Sequence, residues 1–206
     1  MNPPQFQKST TLDQAKQSAR VELDKHEQRV LKSLALCSET RRLLEKDARF
    51  LPFVPLWNAV QYCSVADLDL SILVYQVMIA ETGWRRNLNA RLLAMTLVEC
   101  VEDIGSVLGK DFQNTASVIL NGNKHLEELR LIRSSISEFR KDHERMLREI
   151  RNSAAAYRDK DADLQMVVIN STNAKNIWEL SRQFLNHLDR FTKLMTLVFV
   201  DLKKSF

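Results

Sequence analysis

The residues with the most chemical potential lie between His143 and Asp161, at the end of a long amphipathic helix. There Arg151-Asn152 stands about one and a half turns before Tyr157-Arg158-Asp159. Lys141, Arg145 and Arg148 form a basic stripe that Arg151, Arg158 and Lys160 extend. A guanidinium can grip a phosphate through two parallel hydrogen bonds, so such a stripe suits an RNA backbone. Asp142, Glu144 and Glu149 interrupt it, and a solvated, ion-paired face is the plainer alternative. His143 falls on the apolar seam of the same helix. It is either a base that titrates near neutral pH or a core histidine bonded to a neighbouring helix.

A second polar group sits on an otherwise apolar helix: Arg91, Glu99, Glu102 and Asp103. Arg91 and Glu102 are eleven residues apart and share a face. If this helix is central, its charges need partners, because unpaired buried charge is costly. Basic and polar side chains of the 124–156 helix, Arg151 among them, are the expected partners. A structural ion-pair network or a solvent-facing position is the alternative.

Several kinds of chemistry are excluded. No glycine-rich phosphate loop is present: Gly105 to Gly109 lacks the Lys-Ser/Thr that should follow. No GxSxG elbow occurs. A di-iron bundle needs Glu-x-x-His, but the residues three before His26, His125, His143 and His187 are Leu23, Gly122, Arg140 and Phe184. Cys37, Cys63 and Cys100 are dispersed and form no CxxC, which argues against structural zinc and a secreted disulfide scaffold. No metal and no cofactor are expected. The N-terminus lacks the apolar run of a signal peptide, and no stretch of about twenty uninterrupted apolar residues would span a bilayer. The expected address is the cytoplasm, without membrane partners, where the Asn170-Ser171-Thr172 sequon meets no glycosylation enzyme. A net charge of +4, from 30 basic and 26 interleaved acidic side chains, is compatible with RNA without requiring it.

The elements that position these residues are helices. Four glycines and four prolines in 206 residues leave few breaks. Residues 1–10 are expected to be a flexible arm, and 11–206 a single domain. The first helix, capped by Thr11 or Asp13, runs from about 12 to 48, with Leu23, Val30, Leu34, Cys37 and Leu44 facing inward. Pro52 and Pro55 interrupt an apolar connection, 50–57, which either folds over one end of the bundle or forms a subunit interface. A short helix over 55–64 follows, then one over 68–81 started by Asp67 or Asp69 and stopped by Gly83. Trp84–Leu108 carries a stripe of Leu88, Leu92, Met95, Val98 or Leu97, Val101 and Ile104. Asp111–Leu120 is a short helix, and Asn121-Gly122-Asn123 a turn. The 124–156 helix has the strongest seam: Leu129, Ile132, Ile136, Phe139, His143, Met146 and Ile150. A short helical piece, Leu164–Ile169, precedes a last helix over 173–203 with Ile177, Leu180, Phe184, Leu188, Phe191, Met195, Val198 and Leu202 inward. The fold class is all-α: an up-and-down bundle of four to five long helices with short capping helices.

At Arg151 the pattern resembles the HEPN domains, small helical bundles of prokaryotic defence and toxin–antitoxin systems. Their signature is an Arg, a polar residue and, four to six residues on, a His. Here Arg151-Asn152 opens the motif, Ser153 to Ala156 supply the spacer, and Tyr157 stands in place of the His, followed by Arg158-Asp159. The acidic end of the preceding long helix, Glu99 to Lys110, is similar to the partner helix of such domains, where an acidic residue often meets the Arg. The resemblance covers about 84–203. It implies a homodimer with a metal-independent ribonuclease site at its interface and Arg151 on phosphate. The implied binding residues are Arg148, Arg151, Asn152, Tyr157, Arg158 and Asp159, with Glu99 and Asp103 as supporting acids. Tyr157 departs from the pattern: a phenol with an ordinary pKa near 10 is a poor base at neutral pH, though it can bond a phosphate or stack on a base. The expectation is therefore a non-catalytic bacterial defence or mobile-element protein that binds RNA, a nucleotide or a protein partner. A ribonuclease using Arg151, Asn152 and Tyr157 and a pure interaction bundle stay open as alternatives.

Overall fold

The structure is a computed structural model. It describes residues 6–119, 121–155, 163, 166–167 and 172–204. These residues form an all-α bundle: α1 (Phe6–Leu44), a 3-10 turn (Leu51–Phe53), α2 (Val54–Ile79), α3 (Gly83–Val107), α4 (Lys110–Ser117), α5 (Gly122–Ala155) and α6 (Ala174–Lys204). The Leu164–Ile169 piece and Tyr157 to Asp161 lie largely or wholly outside the described residues.

Four long helices close a ring in which α2 packs on α3, α3 on α5, α5 on α6, and α6 back on α2. The α6 seam lies where its periodicity places it: Ile177, Leu180, Phe184, Leu188, Phe191, Met195, Val198 and Leu202 are all buried. On α5, Leu129, Ile132, Ile136 and Phe139 are buried, and then the core position passes to Leu147. Met146 and Ile150 are only half-buried, because an α-helix of 3.6 residues per turn drifts off a strict seven-residue repeat. His143 is also half-buried. Its ring stands edge-on to Phe139 at 4.9 Å, on the flank of the seam.

α1 packs chiefly on α2 as a fifth, outer helix. Only Val30 of its stripe is buried, and Leu23, Leu34, Cys37 and Leu44 are half-buried. It begins at Phe6 and not near residue 12. The two helices expected over 55–64 and 68–81 are one continuous helix, α2. Ser64 to Ala66 contain no breaker, and Asp67 and Asp69 are mid-helix residues and not caps. Cys63, Ala66, Leu68 and Leu70 are buried across the supposed gap. By length and composition Leu51–Ile79 is apolar enough to cross a bilayer; in this fold it is the helix against which α1, α3, α4 and α6 all pack. The 50–57 connection closes one end of the bundle: Phe53, Leu56 and Trp57 are buried, and Thr115 Oγ1 donates to the Pro52 carbonyl at 2.9 Å.

Two further expectations need correction. Gly83 does not end α2 in a left-handed turn. It is the first residue of α3, whose N-cap is Thr82, its hydroxyl accepting from Arg85 N at 3.2 Å. On α3 the expected Leu97, Val98, Val101 and Ile104 are buried, but in its first half the inward residues are Ala90, Leu93 and Ala94, while Leu88 and Leu92 are exposed and lie on one stripe with exposed Trp84. Both stripes have helical spacing, and sequence periodicity cannot choose between two apolar faces of one helix.

Candidate functional site

The C-terminal half of α5 carries a ladder of alternating charge. Arg140 donates to both carboxylate oxygens of Glu144, each at 3.0 Å. Arg148 Nη2 lies 2.7 Å from Glu144 Oε1 and 2.7 Å from Glu102 Oε1 on α3. Arg151 Nη1 donates to the other Glu102 oxygen at 3.3 Å. The spacing explains the order. Residues 140, 144 and 148 are neighbours on one helix face, and Arg151 is three further on. Glu102 follows buried Val101 and so projects from the edge of α3 that faces α5. The hydrogen bond from Arg140, with the positive charges of Arg140 and Arg148, holds the Glu144 carboxyl below the ordinary glutamate range.

The two long helices thus bring Arg148 and Arg151 together around one acid. That acid is Glu102. Glu99 and Asp103, which the resemblance implied as supporting acids, are exposed and lie toward the α2 side of α3, where burial first, then Cys100, and then their own charge raise the Tyr62 phenol pKa. Asn152 is exposed beside Arg151. Tyr157, Arg158 and Asp159 lie outside the described residues. Arg91 is buried, only 2% exposed, and its Nε donates to the Asn87 carbonyl one turn back, so it does not join the Glu102 cluster.

Chemically the ladder is three guanidiniums on two carboxylates, all at least a quarter exposed at the side chain. It leaves one net positive charge at the end of α5. Such a cluster can exchange a carboxylate for a phosphate of solvent or ligand, since each existing pair is screened and replaceable. Among the described residues no group of three or more His, Cys, Asp or Glu side chains is arranged to hold a metal ion.

A second polar cluster, missed in the sequence, sits at the other end of α5. Asp201 of α6 accepts from Asn121 Nδ2 at 2.9 Å and from Lys204 Nζ at 3.1 Å, and its Oδ2 lies 3.1 Å from His125 Nε2. These donors, Asn121 first, hold the Asp201 pKa at about 2. It is therefore a carboxylate at any ordinary pH, and His125 must carry its proton on Nε2 to bond it. His125 and Asp201 are 5% and 9% exposed, so the contact is nearly dry. One signal was legible: Asp201 interrupts the apolar run Val198-Phe199-Val200-Asp201-Leu202 at an inward spacing, and a buried acid demands a partner. Nothing in the sequence pointed across 76 residues to His125.

Comparison of the chain with protein-family models, with curated proteins and with solved structures returned no match.

Proposed function

We propose that this chain is a HEPN-like helical protein of a bacterial defence or mobile-element system. It acts in the cytoplasm as a homodimer and binds RNA phosphates through Arg148, Arg151 and the following Tyr157–Asp159 segment, without cleaving the RNA. The observation behind this reading is the Arg151–Glu102 contact at 3.3 Å. The resemblance implies an acidic side chain on the preceding long helix near the motif arginine, and an α3 acid in contact with Arg151, though not the expected Glu99 or Asp103, supports the reading. Tyr157 in place of the histidine is the reason for a binding role without cleavage.

One observation favours the interaction-bundle reading instead. Both Arg148 and Arg151 already have a carboxylate partner, and exposed Trp84, Leu88 and Leu92 offer an apolar stripe elsewhere. The two readings part on RNA. In EDTA and low salt, wild type should bind single-stranded RNA, with a log–log salt slope of about −0.7 per phosphate engaged. Arg151→Ala should bind several-fold more weakly with a shallower slope, and neither protein should cleave. Cleavage by wild type that is lost in Arg151→Ala would replace this reading with a ribonuclease. No binding by either protein would leave the interaction bundle.

A further inference from the structure

Where α1 ends, α2 begins and α6 ends, the three helices leave a slot of about 520 Å³. Leu36, Cys37 and Leu44 of α1 form one wall, Phe199 and Leu202 of α6 the other, and Trp57 of α2 the floor. Phe50, from the turn that follows α1, lines it as well. The slot exists because α1 and α6 both pack on α2 while α1 packs little on α6. Trp57 and Phe199 rest against each other at 4.9 Å with their rings tilted by 49°, so floor and wall meet in an aromatic corner. The span from Leu36 to Leu44 is roughly 12 Å of helix.

The wall is almost entirely carbon, and the one charged side chain on it is Lys203. The neighbouring cations are engaged: Lys204 with Asp201, and Arg41 with Glu45 and Asn58. Among the described residues no carboxylate pairs with Lys203. An apolar slot with a single uncompensated ammonium at its rim is complementary to a molecule with one alkyl chain and one anionic head.

We infer that the slot binds a single-chain fatty acid, its alkyl chain over Trp57 and Phe199 and its carboxylate at Lys203. This site is separate from the arginine ladder and does not depend on the RNA reading.

Cys37 provides the reporter. It is the only half-exposed cysteine, since Cys63 and Cys100 are buried, and it lies in the wall of the slot. Burial raises its thiol pKa, so alkylation by N-ethylmaleimide is best followed at mildly alkaline pH. The experiment titrates the full chain with dodecanoate, below its micellar range, and follows the Cys37 alkylation rate and tryptophan emission. Dodecanoate should slow alkylation at least tenfold at saturation. Lys203→Glu should weaken that protection about five- to tenfold with an unchanged melting temperature, the effect of reversing one exposed charge. Leu36→Glu, at a side chain 65% exposed and so harmless to folding, should abolish the protection by placing a like charge in the slot. No protection in wild type overturns the proposal, as does protection indifferent to both substitutions. A ligand-free Cys37 rate that falls as protein concentration rises would also overturn it, because a second copy of the chain would then be the occupant.

Discussion

The two ends of α5 solve the same electrostatic problem in opposite ways. At its start one carboxylate, Asp201, gathers Asn121, His125 and Lys204, with His125 and Asp201 both nearly excluded from water. At its end three arginines share Glu144 and Glu102, and solvent reaches every member. The first cluster is small and has no charge to spare. The second has more ion pairs and one positive charge left over. Burial, not the number of ion pairs, decides which is structural: removing Asp201 strands the buried His125 N–H, whereas a wet cluster is simply rehydrated. The start of α5 is therefore the clamp that docks α6, and its end is an exposed, replaceable set of ion pairs.

The most damaging way to break this contrast is Gly122→Ala. A Cβ there would stand 2.5 Å from the Ser117 carbonyl oxygen and 2.6 Å from that of Ala116, both rigid backbone. Asn121 just before it already takes the left-handed conformation, φ 59°, that starts α5. The substitution should cost about 2–4 kcal/mol, within the range for backbone clash and strain, read as a lower urea midpoint with unchanged slope. A stable variant would mean that the turn is not what sets the start of α5.

Next in size is the acid dependence of the clamp. The Asp201 pKa of about 2 lies below the value near 3.9 of an unfolded aspartate, so its contribution is complete above about pH 4 and is lost as pH falls toward 2. Asp201→Asn should lower the urea midpoint at pH 7, and the gap from wild type should close over that acid window. A gap that persists unchanged at pH 2 would show that the carboxylate charge is not what docks α6.

This contrast also separates what the sequence made legible from what it did not. The long, strongly amphipathic segments were readable: α3 and α6 begin and end within two residues of their expected limits, and α5 begins within two of its own. Their apolar spacing is regular and their ends carry recognisable signals, such as Asn173, whose side chain accepts from Asn176 N at 3.1 Å. α2 was split in two because Asp67 and Asp69 have the chemistry of caps; only the burial around them shows that the helix runs through. The Arg151 side of the ladder was readable because a motif marked it and acids on α3 were available. Which acid meets it was not, since Glu99, Glu102 and Asp103 point within about 100° of one another around the helix axis, and the packing of α3 on α5 makes the choice. The Asp201–His125 clamp depends wholly on the docking of two distant chain segments, and no local spacing encodes that.

The smallest effects should come from the exposed end, and there stability and binding should move apart. Arg151→Ala should cost no more than about 1 kcal/mol, the ordinary worth of a solvent-exposed ion pair. Glu102→Gln is the sharper test, because Glu102 is the acid that both Arg148 and Arg151 contact. The amide keeps the shape of the side chain and removes the charge that competes with a phosphate. If the arginines are held in reserve for RNA, affinity measured by fluorescence anisotropy should rise about two- to fivefold, the equivalent of one exposed pair released. The melting temperature should stay within a few degrees of wild type. If affinity is unchanged while the melting temperature drops steeply, Glu102 is a clamp like Asp201. The two ends of α5 would then be doing the same job, and the case for a ligand site at Arg151 would fall with the contrast.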